Sequence, residues 1–137
     1  MNTYNVNDEN FVNSDIYKRF ISENGGTGHL RIHAYAASGA VPISGLGVSV
    51  STIFDDDKII LFEGMTDASG VIEAISLPAP IYDENNLVSP IKRVYEIDAT
   101  YAPDNLNKTY KINMFDGVSV VQTIKVTPDM SENMGDI

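Results

Sequence analysis

Few side chains in this chain have the spacing that chemistry needs. The only histidines, His29 and His33, lie four residues apart in a segment that alternates apolar and polar. On one face of a strand they would sit about 13 Å apart, too far to share a metal ion. Asp55-Asp56-Asp57 is the densest run of carboxylates. Read as a calcium loop, it lacks the glycine required at the sixth position, and Thr66 stands where the acid at the twelfth belongs. The run therefore reads as a polar hairpin tip. Glu63 and Glu73 fall where a hairpin would make them neighbours, but paired carboxylates act as acid and base only across a cleft. Gly25-Gly26-Thr27-Gly28 leads into a strand, whereas a phosphate cradle needs a helix N-terminus. No nucleophile elbow, P-loop, dinucleotide fingerprint or HExxH motif occurs. Asn107-Lys108-Thr109 is a glycosylation sequon with meaning only in a eukaryotic secretory pathway. The expectation is a protein without catalytic residues, cofactor or metal.

The elements around these residues explain the shortage. Seven short apolar-alternating runs fill the middle of the chain: His29–Ala37, Leu46–Phe54, Lys58–Met65, Val71–Leu77, Val94–Tyr101, Lys108–Phe115 and Val118–Thr127. Turn signals separate them: Pro42, the Asp55–Asp57 tip, Gly70, Pro78 with Pro80, Pro103 and Asp116-Gly117. This spacing predicts an all-β, seven-stranded Greek-key sandwich of prealbumin or immunoglobulin type. Its core would take Leu30, Ile32, Ala34, Ala36, Val48, Val50, Tyr95, Ile97, Ala99, Tyr101, Tyr110, Ile112 and Met114 from alternating positions. Val118, Val120, Ile124 and Val126 would close it, with Gln122 as an interruption.

Residues 1–28 follow a different pattern. Tyr4 and Val6 alternate like one face of a short strand. Ser14 with Asp15 signals a helix start, Gly25 a stop, and Ile16, Phe20 and Ile21 form a narrow apolar stripe, so a helix is predicted over 15–23. The glycines Gly25, Gly26 and Gly28 read as a flexible joint. The organisation expected is an arm (1–28), a sandwich (29–128) and a polar tail (129–137).

Composition narrows the partners. At 137 residues and 43% hydrophobic, the chain can bury an ordinary core. The formal net charge of −10 argues against nucleic acid and anionic membranes, both of which require clustered Lys and Arg. There is no cysteine, so disulfides and thiolate metal sites are excluded. No apolar stretch reaches the ~20 residues of a membrane span. The polar, acidic start lacks a cationic region and an apolar run, so no secretory signal peptide is expected.

Several pieces of the central region match one family pattern. They are Leu30-x-Ile32-x-Ala34, Pro42-Ile43-x-Gly45-x-x-Val48-x-Val50, Thr66-Asp67-x-x-Gly70 and Leu77-Pro78-Ala79-Pro80. Tyr95-x-Ile97, Phe115-x-Gly117-Val118 and Ile124-x-Val126-x-Pro128 complete the set. The region resembles the carboxypeptidase-regulatory-like family, a transthyretin-like sandwich related to Cna-B modules, in versions found in clostridial spore- or wall-associated proteins. The resemblance implies the fold and carries no site residue. Many Cna-B modules join a first-strand Lys to a last-strand Asn. Here His29–Ala37 holds no Lys and Val118–Thr127 no Asn, so that cross-link is not expected.

Function is then expected in the arm. Sandwich edges carry unpaired backbone groups, and an extended segment of a neighbour can add to them. Tyr4, Val6, Phe11, Ile16 and Phe20 are the expected contacts, with Gly25, Gly26 and Gly28 as hinge. The result would be a structural subunit that self-assembles into a filament, sheath or surface layer on a bacterial spore or cell surface, or in a phage-like particle. The alternative is a monomeric accessory module that binds peptidoglycan or another surface protein through Tyr35 and Tyr82.

Overall fold

A computed structural model describes residues 1–37, 40–85 and 91–127. The expected polar tail, 129–137, lies outside the described residues, as do parts of the turn at 38–45 and of the loop at 81–93. The elements in order are β1 (Thr3–Asn5), α1 (Glu9–Val12), α2 (Asp15–Glu23), β2 (Gly26–Ala36), β3 (Val41–Pro42) and β4 (Gly47–Phe54). They continue with β5 (Asp57–Met65), β6 (Val71–Ala79), β7 (Arg93–Tyr101), β8 (Leu106–Met114) and β9 (Ser119–Lys125). The chain is thus mostly β, with one short helix pair near its start. Each of the seven expected runs is a strand, and β1 and β3 are short additions.

Two sheets enclose one main core. The first has the order β1-β5-β4-β7-β8. In the second, β2 pairs antiparallel with β6 and β3 and parallel with β9. Period-two alternation decides which side chains meet between the sheets. Leu30, Ile32 and Ala34 of β2 are fully buried, as are Tyr95, Ile97 and Ala99 of β7. His29 and Arg31 on the opposite face of β2 are exposed. A bulge at Leu61 breaks the β4–β5 register, so Val50 faces Phe62 while Ser51 faces Ile60. Tyr95 ties the sheets together: its hydroxyl donates to the Pro78 carbonyl at 2.6 Å.

The turn at Gly70 uses the expected residues, whereas Pro42 and Pro78, also expected in turns, lie in β3 and β6 and pair with Tyr35 and Thr27. Asp67 Oδ1 accepts from Ser69 N–H (2.9 Å) and Val71 N–H (3.0 Å), and Gly70 adopts φ +75°. A Cβ at Gly70 would lie 2.4 Å from the Ala34 carbonyl oxygen, so the turn from the first sheet to the second admits only glycine.

Several expectations need correction. The first long strand begins at Gly26, not His29, and Gly26 and Gly28 pair with Ala79 and Leu77. Both glycines are buried, and a Cβ on Gly28 would sit 2.2 Å from Met114 Sδ. They are close-packed strand positions, not a flexible joint; only Gly25 lies outside an element. The helix over 15–23 forms, but Ile21 points to solvent, and the half-buried Tyr17 completes the stripe with Ile16 and Phe20. A helical turn that the sequence reading did not anticipate, Glu9–Val12 capped by Asp8, lies between the short strand at Tyr4 and the helix over 15–23. Val118 is exposed, leaving Ile124 and Val126 as the buried residues at that end. Glu63 and Glu73 lie on strands of different sheets and are not partners: Glu63 accepts from Asn5 Nδ2, and Glu73 faces Arg31.

Candidate functional site

The arm is seated on its own sandwich. β1 runs parallel to β5 in the register Thr3↔Lys58, Tyr4↔Ile59 and Asn5↔Ile60. Lys58 N–H donates to the Asn2 carbonyl at 2.8 Å, and Val6 N–H donates to the Ile60 carbonyl at 3.1 Å. The strand therefore supplies backbone partners to one half of the β5 edge. From Leu61 to Met65 that edge has no strand partner among the described residues.

Side chains fasten the same seat. Asn2 N–H donates to Asp57 Oδ1 at 2.9 Å, and Asn5 Nδ2 donates to Glu63 Oε1 at 2.6 Å. The acidic hairpin tip is therefore a holdfast as well as a turn. Asp55 and Asp56 both adopt positive φ, 52° and 64°, which gives a two-residue loop with the strand-matching twist. Asp55 also forms an ion pair with Arg19 of α2.

Beneath β1 lies a second apolar cluster, distinct from the main core. Phe11, Phe20, Phe54 and Ile59 are buried in it, with Tyr4, Val6, Val12, Ile16, Tyr17 and Leu61 packed around them. All five expected arm residues, Tyr4, Val6, Phe11, Ile16 and Phe20, belong to this cluster. Their rings form a chain. Tyr4 stacks on Phe11 at 4.7 Å, Phe11 meets Tyr17 at 5.2 Å, Tyr17 meets Phe20 at 6.2 Å, and Phe20 meets the edge of Phe54 at 5.3 Å. Helix starts aim these rings: Asp8 accepts from Asn10 N–H, and Ser14 accepts from Tyr17 N–H.

Four important contributors escaped the sequence reading. Asn24 caps α2 and is buried, its Nδ2 donating to the Phe20 carbonyl at 2.8 Å. Arg93 Nε donates to Asn24 Oδ1 at 3.1 Å, and its guanidinium lies 5.6 Å from the ring centres of both Phe20 and Phe54. Arg19 approaches Phe54 at 5.4 Å. Parity gave a signal for Arg93, which precedes Tyr95, Ile97 and Ala99 on the inward face of β7. Parity gave one for Phe54 too, which follows Val48 and Val50 on the inward face of β4, whereas Asn24 gave none, because its role depends on what α2 packs against. Burial pushes the Tyr95 hydroxyl well above the usual tyrosine range, with nearby Arg93 offsetting part of the rise. Tyr110 is also raised by burial.

Tyr35 and Tyr82 are not brought together. Tyr35 is half-buried near the end of β2, against His33 at 5.6 Å. Tyr82 follows β6, whose last residue pairs with Gly26 at the start of β2. The nine residues from Gly26 to Tyr35 separate the two ends by about 30 Å, so the two rings form no common stacking face. Tyr82 is exposed beside Pro80, Ile81, Ile91 and Phe115.

Among the described residues no three His, Asp or Glu side chains converge as metal ligands would, and no helix is long and apolar enough to cross a membrane. No protein-family model matches the chain, and no curated protein matches it.

Proposed function

We propose that the chain is a non-enzymatic structural subunit whose residues 1–6 dock in trans on the β5 edge of a neighbouring copy. The observation that supports this is the seat of β1. It makes three register pairs on an edge strand, over a cluster separate from the main core, and connects to α1 through one tight turn at Asn5–Asp8. A short strand joined by a turn makes the same contacts with its own edge or with another copy's once that turn extends. Head-to-tail exchange of this kind yields filaments unless the rotation closes a ring. The closed form prevails in dilute solution, because its effective concentration is of order millimolar, and exchange takes over where copies are crowded.

The seven long strands are read as a prealbumin-like Greek-key frame of the carboxypeptidase-regulatory-like kind, with β1 and β3 as additions. A crowded bacterial spore or cell surface, or a phage-like particle, is the setting that suits such a subunit.

The chain has no cysteine, which makes the test direct. Thr3 and Lys58 are register partners. Thr3→Cys chains mixed with Lys58→Cys chains under mild oxidation form a T3C–K58C dimer only if an arm docks on another copy. The expected result is a mixed dimer that grows with concentration, together with filaments in negative-stain images. Absence of the mixed dimer up to about 1 mM would refute exchange. The chain carrying both substitutions then shows whether the arm is closed on itself.

A further inference from the structure

We propose that the cleft between the splayed ends of β4 and β7 binds a carboxylate monoanion that carries a branched aliphatic group. The β4–β7 ladder runs from Gly47↔Thr100 to Ser51↔Glu96 and stops there. Beyond that pair the strands diverge around a cleft of about 370 Å³. Its lining includes Ser51, Ile53, Lys92, Val94, Glu96 and Lys111.

Charge selects the ligand's sign. The chain has 9 Lys and Arg against 19 Asp and Glu, yet Lys92, Arg93 and Lys111 all line this one cleft. Neither Lys92 nor Lys111 is in an ion pair among the described residues. Arg93 is committed elsewhere, to Asn24 and to the Ile53 carbonyl at 3.3 Å. Glu96, opposite Lys111 in register, is the single acid in the lining. Lys92 and Lys111 beside the one carboxylate leave a single positive charge in surplus, which suits a monoanion better than a phosphate dianion.

Backbone geometry supplies donors. The Val94 carbonyl accepts from Thr52 Oγ1 at 2.8 Å, and the Ile53 carbonyl accepts from Arg93, so both carbonyls face the gap. In an extended strand the N–H and C=O of one residue point to the same side. The N–H groups of Ile53 and Val94 therefore also face the gap, past the last ladder pair. Two such donors flanked by lysines fit a carboxylate. Ile53 and Val94 are 49% and 43% exposed, large fractions for apolar strand residues, and they give the aliphatic part of the ligand its surface.

The test is an amide NMR titration of the full chain with N-acetyl-leucine, its neutral amide, and inorganic phosphate. Shifts confined to Ser51, Ile53, Val94, Glu96 and Lys111, saturating with a Kd of about 1 mM for the acid, are expected. Lys92→Met and Lys111→Met, which keep the aliphatic stems, should each raise that Kd about threefold with the remaining spectrum unchanged. Acetyl-Ala-Ala-Leu separates two sources of the same chemistry. Tighter binding than N-acetyl-leucine supports a peptide C-terminus as ligand, and equal binding supports a free small acid. The proposal is overturned if the cleft amides do not move up to about 20 mM acid, if the neutral amide binds equally, or if phosphate binds more tightly.

Discussion

Replacing Tyr4 with Ala should release the arm without unfolding the sandwich. Tyr4 is half-buried and stacks on Phe11 at 4.7 Å with an interplanar angle of 7°. Losing half the burial of a large side chain costs about 1 kcal/mol, and the ring pair is worth about 1 kcal/mol more. The sum, about 2 kcal/mol, corresponds to a roughly 30-fold larger open population. The amide that reports opening is Lys58 N–H, which β1 protects through the Asn2 carbonyl. Native-state hydrogen exchange should therefore show Lys58 exchanging about 30-fold faster in Tyr4→Ala, with the β4–β7 ladder amides almost unchanged. Two outcomes refute the reasoning. If Lys58 exchange is unaffected, β1 does not hold this edge. If Lys58 and the β4–β7 amides accelerate together, the arm is part of the global cooperative unit and cannot open by itself.

Three further outcomes follow from the packing. Tyr95→Phe removes the hydroxyl that bridges to the Pro78 carbonyl and should cost about 1–2 kcal/mol, seen as a Tm lower by about 3–7 °C. Because the folded Tyr95 pKa lies above the unfolded value near 10, its contribution is complete below pH ~10 and declines as pH rises further. Denaturant titrations between pH 9 and 11 should accordingly show a shallower alkaline loss of stability in Tyr95→Phe. Gly28→Ala places a Cβ 2.7 Å from the Phe115 carbonyl oxygen and should cost about 1–3 kcal/mol in denaturant unfolding, whereas Gly25→Ala, whose nearest neighbour is Ile81 Cδ1 at 3.5 Å, should be close to neutral. Asp56→Gly should stabilise by about 0.5–1 kcal/mol, because Asp56 holds φ 64° at the second position of a two-residue hairpin loop; calorimetry checks the rise in Tm.

The sequence by itself determined the seven long strands, the helix over 15–23 and most inward-facing residues. Each of these depends on a short-range signal. Period-two alternation places Leu30, Ile32 and Ala34 on one face regardless of what lies opposite. Ser14 and Asp67 act on backbone groups two to four residues away. Of the candidate site, the five arm residues were legible as apolar side chains in a polar leader. Their common cluster was not, because Tyr4 and Phe54 are fifty residues apart in the chain.

Only the tertiary structure decided where those elements meet. Nothing local distinguishes Gly28 in a hinge from Gly28 beneath Met114; the approach of β8 makes that difference. Asp55 and Asp57 of the hairpin tip read as solvated until Arg19 and Asn2 arrive from the start of the chain. Strand ladders are non-local, so which edge β1 covers, and where β4 parts from β7 to leave a cationic cleft, depends on packing between distant segments.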